Sequence, residues 1–332
     1  MGAPQPGGIP LRPLGLGDIW SGTVTVIRRN PVATVGLAAI ILGIVGVATT
    51  ALELVVRHGL SGAAGGLTVV TILLDLAGQI VLAGLLTMVI GRAVLGERIS
   101  IGQAWNLVRG RLAALLGVTL LTAAILIGLV IPWAVVLAIL ITSGAGDGPA
   151  VAWGLLAGLA TLVIVVIALI RLGLAAPATV LERCGPAAAL RRSWQLTRGS
   201  FWRILGILVL TAIVVGLAGF ILELPFVILR GVVGGGSANA ASLSGGAASL
   251  SAAGIIIGGI GGIIASAIVR PVSSGVLVLL YLDMRMRKEG LDLALRHAAQ
   301  NRQLTGEEFT ALWQPPAGPP PGAIPGAPPA PW

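Results

Sequence analysis

Charge is what this chain has least of. Asp, Glu, Lys and Arg make up 10% of its 332 residues, while 56% are hydrophobic. A folded domain that faces water on all sides needs about a quarter of its residues charged, so a soluble globular protein is excluded. Cysteine is nearly absent: Cys184 stands alone, which rules out an intrachain disulfide and any thiolate metal cluster. There are two histidines, His58 and His297, and Lys288 is the only lysine. With so few of these groups the chain carries no HExxH, no P-loop and no GxSxG. No hydrophilic stretch is long enough for a nucleotide-binding α/β unit. The expectation is a protein that is not an enzyme, with no catalytic residues, no metal and no cofactor.

What the chain does have is long apolar runs. Its mean hydropathy is +1.00, and six stretches reach the roughly 20 apolar residues that cross a bilayer as a helix. They lie near 33–56, 67–90, 113–141, 150–176, 204–229 and 254–282. The third, fourth and sixth exceed bilayer thickness and must tilt, kink or project, with Pro132, Pro177 and Pro271 as kink points. The first 30 residues lack the basic region and short apolar core of a cleavable signal, so none is expected. The predicted fold is an all-α polytopic bundle of six transmembrane helices. Residues 1–15 are expected to be a disordered lead, 16–298 the membrane domain, and 299–332 a tail that is Pro-rich and disordered from about 314.

The net charge is +9, and its placement sets orientation. Arg12, Arg28 and Arg29 precede span one; Arg92, Arg98, Arg109 and Arg111 lie between spans two and three; Arg183, Arg191, Arg192, Arg198 and Arg203 lie between four and five; Arg285, Arg287, Lys288, Arg296 and Arg302 follow span six. The alternate loops hold only Arg57 and Arg230. The positive-inside rule then puts both termini in the cytoplasm and sets His58 and His297 on opposite sides of the membrane. The basic face is expected to meet anionic lipid head groups, not nucleic acid. Trp20, Trp105, Trp194 and Trp202 fall at the inner interface and Trp133 and Trp153 at the outer one, an aromatic belt.

One pattern occurs twice. "WNLVRGRLAALLG" begins at Trp105 and "WQLTRGSFWRILG" at Trp194, each at the head of an apolar run. A looser counterpart, "GDIWSGTVTVIRRNP", precedes span one. These segments predict three cytoplasmic amphipathic interfacial helices, each followed by a two-span hairpin. In the third, Leu190, Trp194 and Thr197 share one face and Arg191, Gln195 and Arg198 the next, with Pro186 at the helix start. Duplication and convergence both account for the pattern. Residues 231–253 are Gly, Ser and Ala and read as a linker. Gly254, Gly258 and Gly262 form a small-xxx-small row, suited to packing within the bundle or between two copies.

Ionisable residues inside spans are the candidate functional groups, because lipid makes them costly. They are Asp75, with Gln79 one turn on, Arg171, Glu223 and Arg270. Glu53 has Arg57 four residues away as a local partner. Asp75 and Arg270 are expected to pair inside the bundle. Alternatively, Arg171 and Arg270, each eleven to thirteen residues before an acid (Glu182 or Asp283), hold one phospholipid phosphate between them.

Three segments carry a family resemblance: "LRPLGLGDIW", "LAAPATVLERCGPAAALRRSWQLTRGSFWRILG" and "YLDMRMRKEGLDL". Over residues 11–296 they resemble a family of multi-pass proteins common in actinobacteria, labelled as the membrane domain of glycerophosphoryl diester phosphodiesterase. The resemblance implies a six-span protein of the bacterial plasma membrane. The catalytic barrel of such phosphodiesterases is missing, so their activity does not transfer. Two functions stay open: a non-catalytic scaffold, anchor or regulator with a membrane or cytoplasmic protein partner, or a transporter or lipid-handling protein that uses Asp75 and Arg270.

Overall fold

A computed structural model describes residues 13–59, 64–94, 96–97, 99–142, 148–233 and 251–291. The N-terminal lead up to residue 12, the linker at 234–250, the Pro-rich tail, His297, Arg98 and the side chains of Arg57 and His58 lie outside the described residues. Among those described, the chain is helical and has no strands. The order is α1 (Leu16–Arg29), a π-helical turn (Val32–Gly36), α2 (Leu37–Gly59), α3 (Ala64–Val94), α4 (Ile101–Val108), a 3-10 turn (Arg109–Arg111), α5 (Leu112–Thr142), α6 (Gly148–Leu172), α7 (Ala175–Leu181), α8 (Pro186–Thr197), α9 (Phe201–Val233) and α10 (Ala252–Glu289). Six of these helices are long and apolar enough to cross a membrane: α2, α3, α5, α6, α9 and α10.

The short helices α1, α4 and α8 precede α2, α5 and α9, as the repeated pattern predicts. Each starts on an identifiable signal. Asp18 in the first turn of α1 accepts from the Gly15 N–H at 2.9 Å. Ser100 and Gln103 cap α4 reciprocally, at 3.3 and 2.9 Å. Pro186 occupies the first turn of α8, where its missing N–H costs nothing. α10 begins at Ser251, whose hydroxyl accepts from Gly254 N, and stops at Gly290 in the left-handed region.

α10 is the axis of the molecule. Its 38 residues reach about 57 Å, well beyond a hydrocarbon core of about 30 Å. It packs on α9, α2, α3 and α1. Glycines allow the close approaches: a Cβ at Gly261 would meet Phe226 at 2.5 Å, one at Gly259 would meet Thr50 at 2.5 Å, and one at Gly258 would meet the Arg230 stem at 3.2 Å. Gly254 and Gly258 of the small-residue row therefore pack within the bundle, against α9, while Gly262 has open space.

Burial divides the molecule into two zones. From Gly275 to Met286 nearly every α10 residue is buried, as are Gly84–Ile90 of α3 and all but one residue of α7. α1 runs along this half of α10, with Leu14 beside Asp283 and Thr23 against Gly275. Together α1, α7, α8 and the ends of α3, α9 and α10 make a packed cap. Away from it, large apolar side chains point outward: Val69–Leu73, Leu116–Ile139, Leu155–Leu169, Val209–Val233 and Ile256–Ile268 all include exposed Val, Ile or Leu. Such a continuous apolar belt needs a non-aqueous surround.

Some boundaries move. The helices run through Pro132 and Pro271, and also through Pro225. Span four breaks before Pro177, at Gly173–Leu174, and Pro177 lies inside the new helix α7. Trp153 and Trp202 are 72% and 81% exposed, as a belt requires, but the Trp133 indole turns inward and donates to Gly154 O at 3.3 Å, tying α5 to α6.

Candidate functional site

Two polar features stand out, one saturated and one open. The saturated one fills the cap. Glu182, at the end of α7, accepts from Arg192 Nε on both oxygens at 2.9 and 3.0 Å and from the Tyr281 hydroxyl at 2.5 Å. Arg192 reaches on to Glu289 at 2.6 Å, and Arg285 donates to Glu289 at 2.9 Å while its Nε stands 3.7 Å from Glu182. Arg285 lies over the Tyr281 ring, 5.9 Å from its centre. Burial alone would lower the Arg192 pKa, but hydrogen bonds to Glu289 and Glu182 hold it above the ordinary guanidinium value. Two carboxylates thus face two guanidiniums, and the charge balances.

A second cluster centres on Asp283, whose side chain is fully buried. It accepts from Leu14 N at 2.8 Å, Arg287 Nε at 2.8 Å and Arg203 Nη2 at 2.9 Å. Both arginines also donate to Leu14 O. Nearby, Lys288 donates to Gln195 O and Arg198 O, satisfying carbonyls at the end of α8. Arg111 donates to Arg183 O at 3.1 Å, and Asn30 to Ile99 O at 3.4 Å. These contacts bring the arginine-bearing segments from four parts of the chain to one end of the molecule.

The open feature is a cavity of about 220 Å³ between α3, α5, α7 and α10, lined among others by Gln79, Thr119, Ala176, Arg270 and Ser274. Arg270 sits two residues beyond Ile268, the last exposed large apolar residue of α10, and five before the cap begins at Gly275. It is therefore near the margin of the belt. An arginine held in lipid costs about 2.5–3.5 kcal/mol at a helix centre on insertion scales, less near an interface. Among the described residues Arg270 has no hydrogen-bond or ionic partner.

The four in-span candidates fall in separate places. Asp75 is exposed on α3, one turn farther from the cap than Gln79, and forms no ion pair with Arg270. The two sit on different helices, and Gln79, not Asp75, reaches the cavity. Arg171 does not line the cavity either. Its guanidinium lies over Trp194, 5.1 Å from the ring centre, with Nε and Nη1 buried and unbonded. The two arginines thus do not converge on one phosphate. Glu223 is exposed on α9, twenty residues or about 30 Å along the helix from Arg203, which sets it toward the far margin of the belt. Glu182, Arg192, Arg203, Tyr281, Asp283, Arg285 and Glu289 do not stand out from the sequence as site residues. One signal for part of them is there all the same: Asp283 with Arg287 and Arg285 with Glu289 are i,i+4 pairs.

An all-α bundle with six membrane-length helices and an ion-paired cap defines a multi-pass membrane protein. Residues 14–284 match the family described as a domain of unknown function, DUF7847, and the chain belongs to that family. No curated protein and no solved structure matches it.

Proposed function

We propose that the protein is a non-catalytic scaffold or anchor of the bacterial plasma membrane, with both termini in the cytoplasm and the cap as its cytoplasmic docking base. The saturated network carries this reading. Glu182 and Asp283, buried in the cap, and the partly buried Glu289 are all engaged by arginines, so none of these three acids is free to act as a general base. Around it Arg28, Arg29, Arg109, Arg183, Arg191 and Arg198 are exposed, a basic surface suited to anionic lipid and to an acidic partner.

The test has two parts. Reporters fused after Ser143 and Ser237 should give a non-cytoplasmic signal; a cytoplasmic signal at either refutes the orientation. A photo-crosslinker at Arg191 or Arg198, used in native membranes, should trap one protein in stoichiometric amount, and trapping only lipid refutes the scaffold role. A second reading, lipid handling, is favoured by the open cavity at Arg270.

A further inference from the structure

Every charged group of the cap network is matched, whereas the cavity at Arg270 gathers donors that are not. Arg270, Gln79 and Ser274 line it, and none of the three side chains forms a hydrogen bond among the described residues. Thr119 also lines it, but its hydroxyl is directed to Leu115 O at 3.0 Å. No carboxylate is in the lining. A guanidinium, an amide and a hydroxyl around one space, with no acid among them, match an anion with several oxygens. The remaining wall is apolar: Leu76, Ile80, Leu82, Ala83, Leu115 and Ala176.

We propose that this cavity binds the phosphate-bearing head group of an anionic phospholipid from the leaflet on the cap side, with Arg270 as charge partner and Gln79 and Ser274 as hydrogen-bond donors. Size supports a head group: about 220 Å³ is below the 300–1,000 Å³ of sites that enclose whole ligands, so the acyl chains stay in the bilayer. Exposed apolar faces of α3 (Val69–Leu73) and α5 (Leu116–Leu121) are available to receive them. Depth supports it as well, since Arg270 lies near the belt margin, where the phosphates of one leaflet reside. The inference deepens the lipid-handling reading. It requires membrane placement and does not depend on the scaffold role.

The test uses the full chain purified in neutral detergent and placed in phosphatidylcholine nanodiscs containing phosphatidylglycerol. Lipid retention is read by native mass spectrometry and stability by thermal unfolding. The native protein should retain phosphatidylglycerol over phosphatidylcholine. Arg270→Gln should weaken that retention about tenfold or more, the scale of a charged hydrogen bond, while Glu223→Gln, exposed toward the far margin of the belt, should not. Inorganic phosphate and glycerol 3-phosphate at matched ionic strength should stabilise neither protein. Unchanged retention in Arg270→Gln overturns the site. Equal, Arg270-dependent stabilisation by inorganic phosphate overturns the lipid assignment in favour of a free anion. If Arg270→Gln does not fold, Ser274→Leu fills the cavity while keeping the arginine, and the same two readouts decide. A missing protein cross-link at Arg191 leaves these results untouched, so the two proposals fail separately.

Discussion

Glu182→Gln tests whether the cap is held by charge balance. In the native protein Glu182 and Glu289 face Arg192 and Arg285, and side-chain exposures are 2% for Glu182, 13% for Glu289, 16% for Arg192 and 1% for Arg285. The amide fills the same volume and can still accept from the Tyr281 hydroxyl, so shape is conserved and one buried negative charge is lost. Two guanidiniums then share one carboxylate. Removing one partner from a buried ion pair costs about 3–5 kcal/mol; Arg192 retains some solvent, so about 3 kcal/mol is the better figure. For a chain of 332 residues that lowers Tm by on the order of 4 °C. Adding Arg285→Met restores one positive against one negative charge, and the double variant should recover most of the loss. Asp283→Asn is the internal comparison. Its partners Arg203 and Arg287 are 34% and 36% exposed, so water can take up their charge, and the loss should be about 1–2 kcal/mol. The assay is thermal unfolding of detergent-purified protein followed by size-exclusion. Glu182→Gln melting within about 2 °C of native, or a double variant weaker than the single, refutes charge balance as the basis of cap stability.

Two further outcomes follow from local geometry. The Cys184 thiol is half-buried, and burial first, then the Glu182 charge, raise its pKa, so less thiolate exists at about pH 8 than for a free thiol. Maleimide should label it slowly in native membranes and faster in Glu182→Gln, and native labelling at the rate of the denatured chain contradicts this. Gly199 has φ +83 whereas Gly110 lies in the helical 3-10 turn with open space around a new Cβ. Gly199→Ala should therefore cost about 1–2 kcal/mol, and Gly110→Ala should be neutral or stabilising by up to about 1 kcal/mol; equal effects on unfolding refute the distinction.

The membrane-length helices are legible in the sequence because run length alone reports them, and the short helices because their caps and periodicity do. The far end of α10 is not. After Leu282 the sequence turns charged, which reads as an exit from the bilayer near residue 282, yet the helix continues to Glu289. The charges persist in helix because the segment just before α1, together with α8 and α9, brings partners to them. Those partners come from Leu14, Arg192 and Arg203, distances along the chain that no local pattern encodes. The cavity is similar. Gln79 and Arg270 can be singled out as polar residues in apolar runs, but Asp75 is the better partner on paper because a carboxylate next to a guanidinium is the cheaper arrangement in lipid. The rotation of α3 also depends on tertiary packing, such as the close approach of Gly78 to α2, where a Cβ would meet Val45 at 2.8 Å, and this lies outside what periodicity can specify.

The repeated Trp-x-Leu-x-Arg-Gly pattern separates what such a local code specifies from what it leaves to the fold. In both copies the Trp is exposed, 42% for Trp105 and 49% for Trp194, and the residue three places on, Val108 or Thr197, is fully buried. The arginine that follows is exposed in each. Side-chain placement at the belt margin is thus the same. The backbone path is not. α4 passes through Arg109–Arg111 into α5 without leaving helical geometry, whereas α8 ends and the chain reverses through Gly199 before α9 starts at Phe201. The difference lies in what meets each copy. The carbonyls at the end of α8 are taken up by Lys288 from α10, so that helix can stop; those at the end of α4 are taken up by continuing the helix. The shared residues therefore serve a requirement common to the two points where the chain passes into the membrane, an aromatic and a cation at the water–lipid boundary with a small or apolar residue turned inward. That requirement would preserve the pattern after a duplication and would also produce it without one.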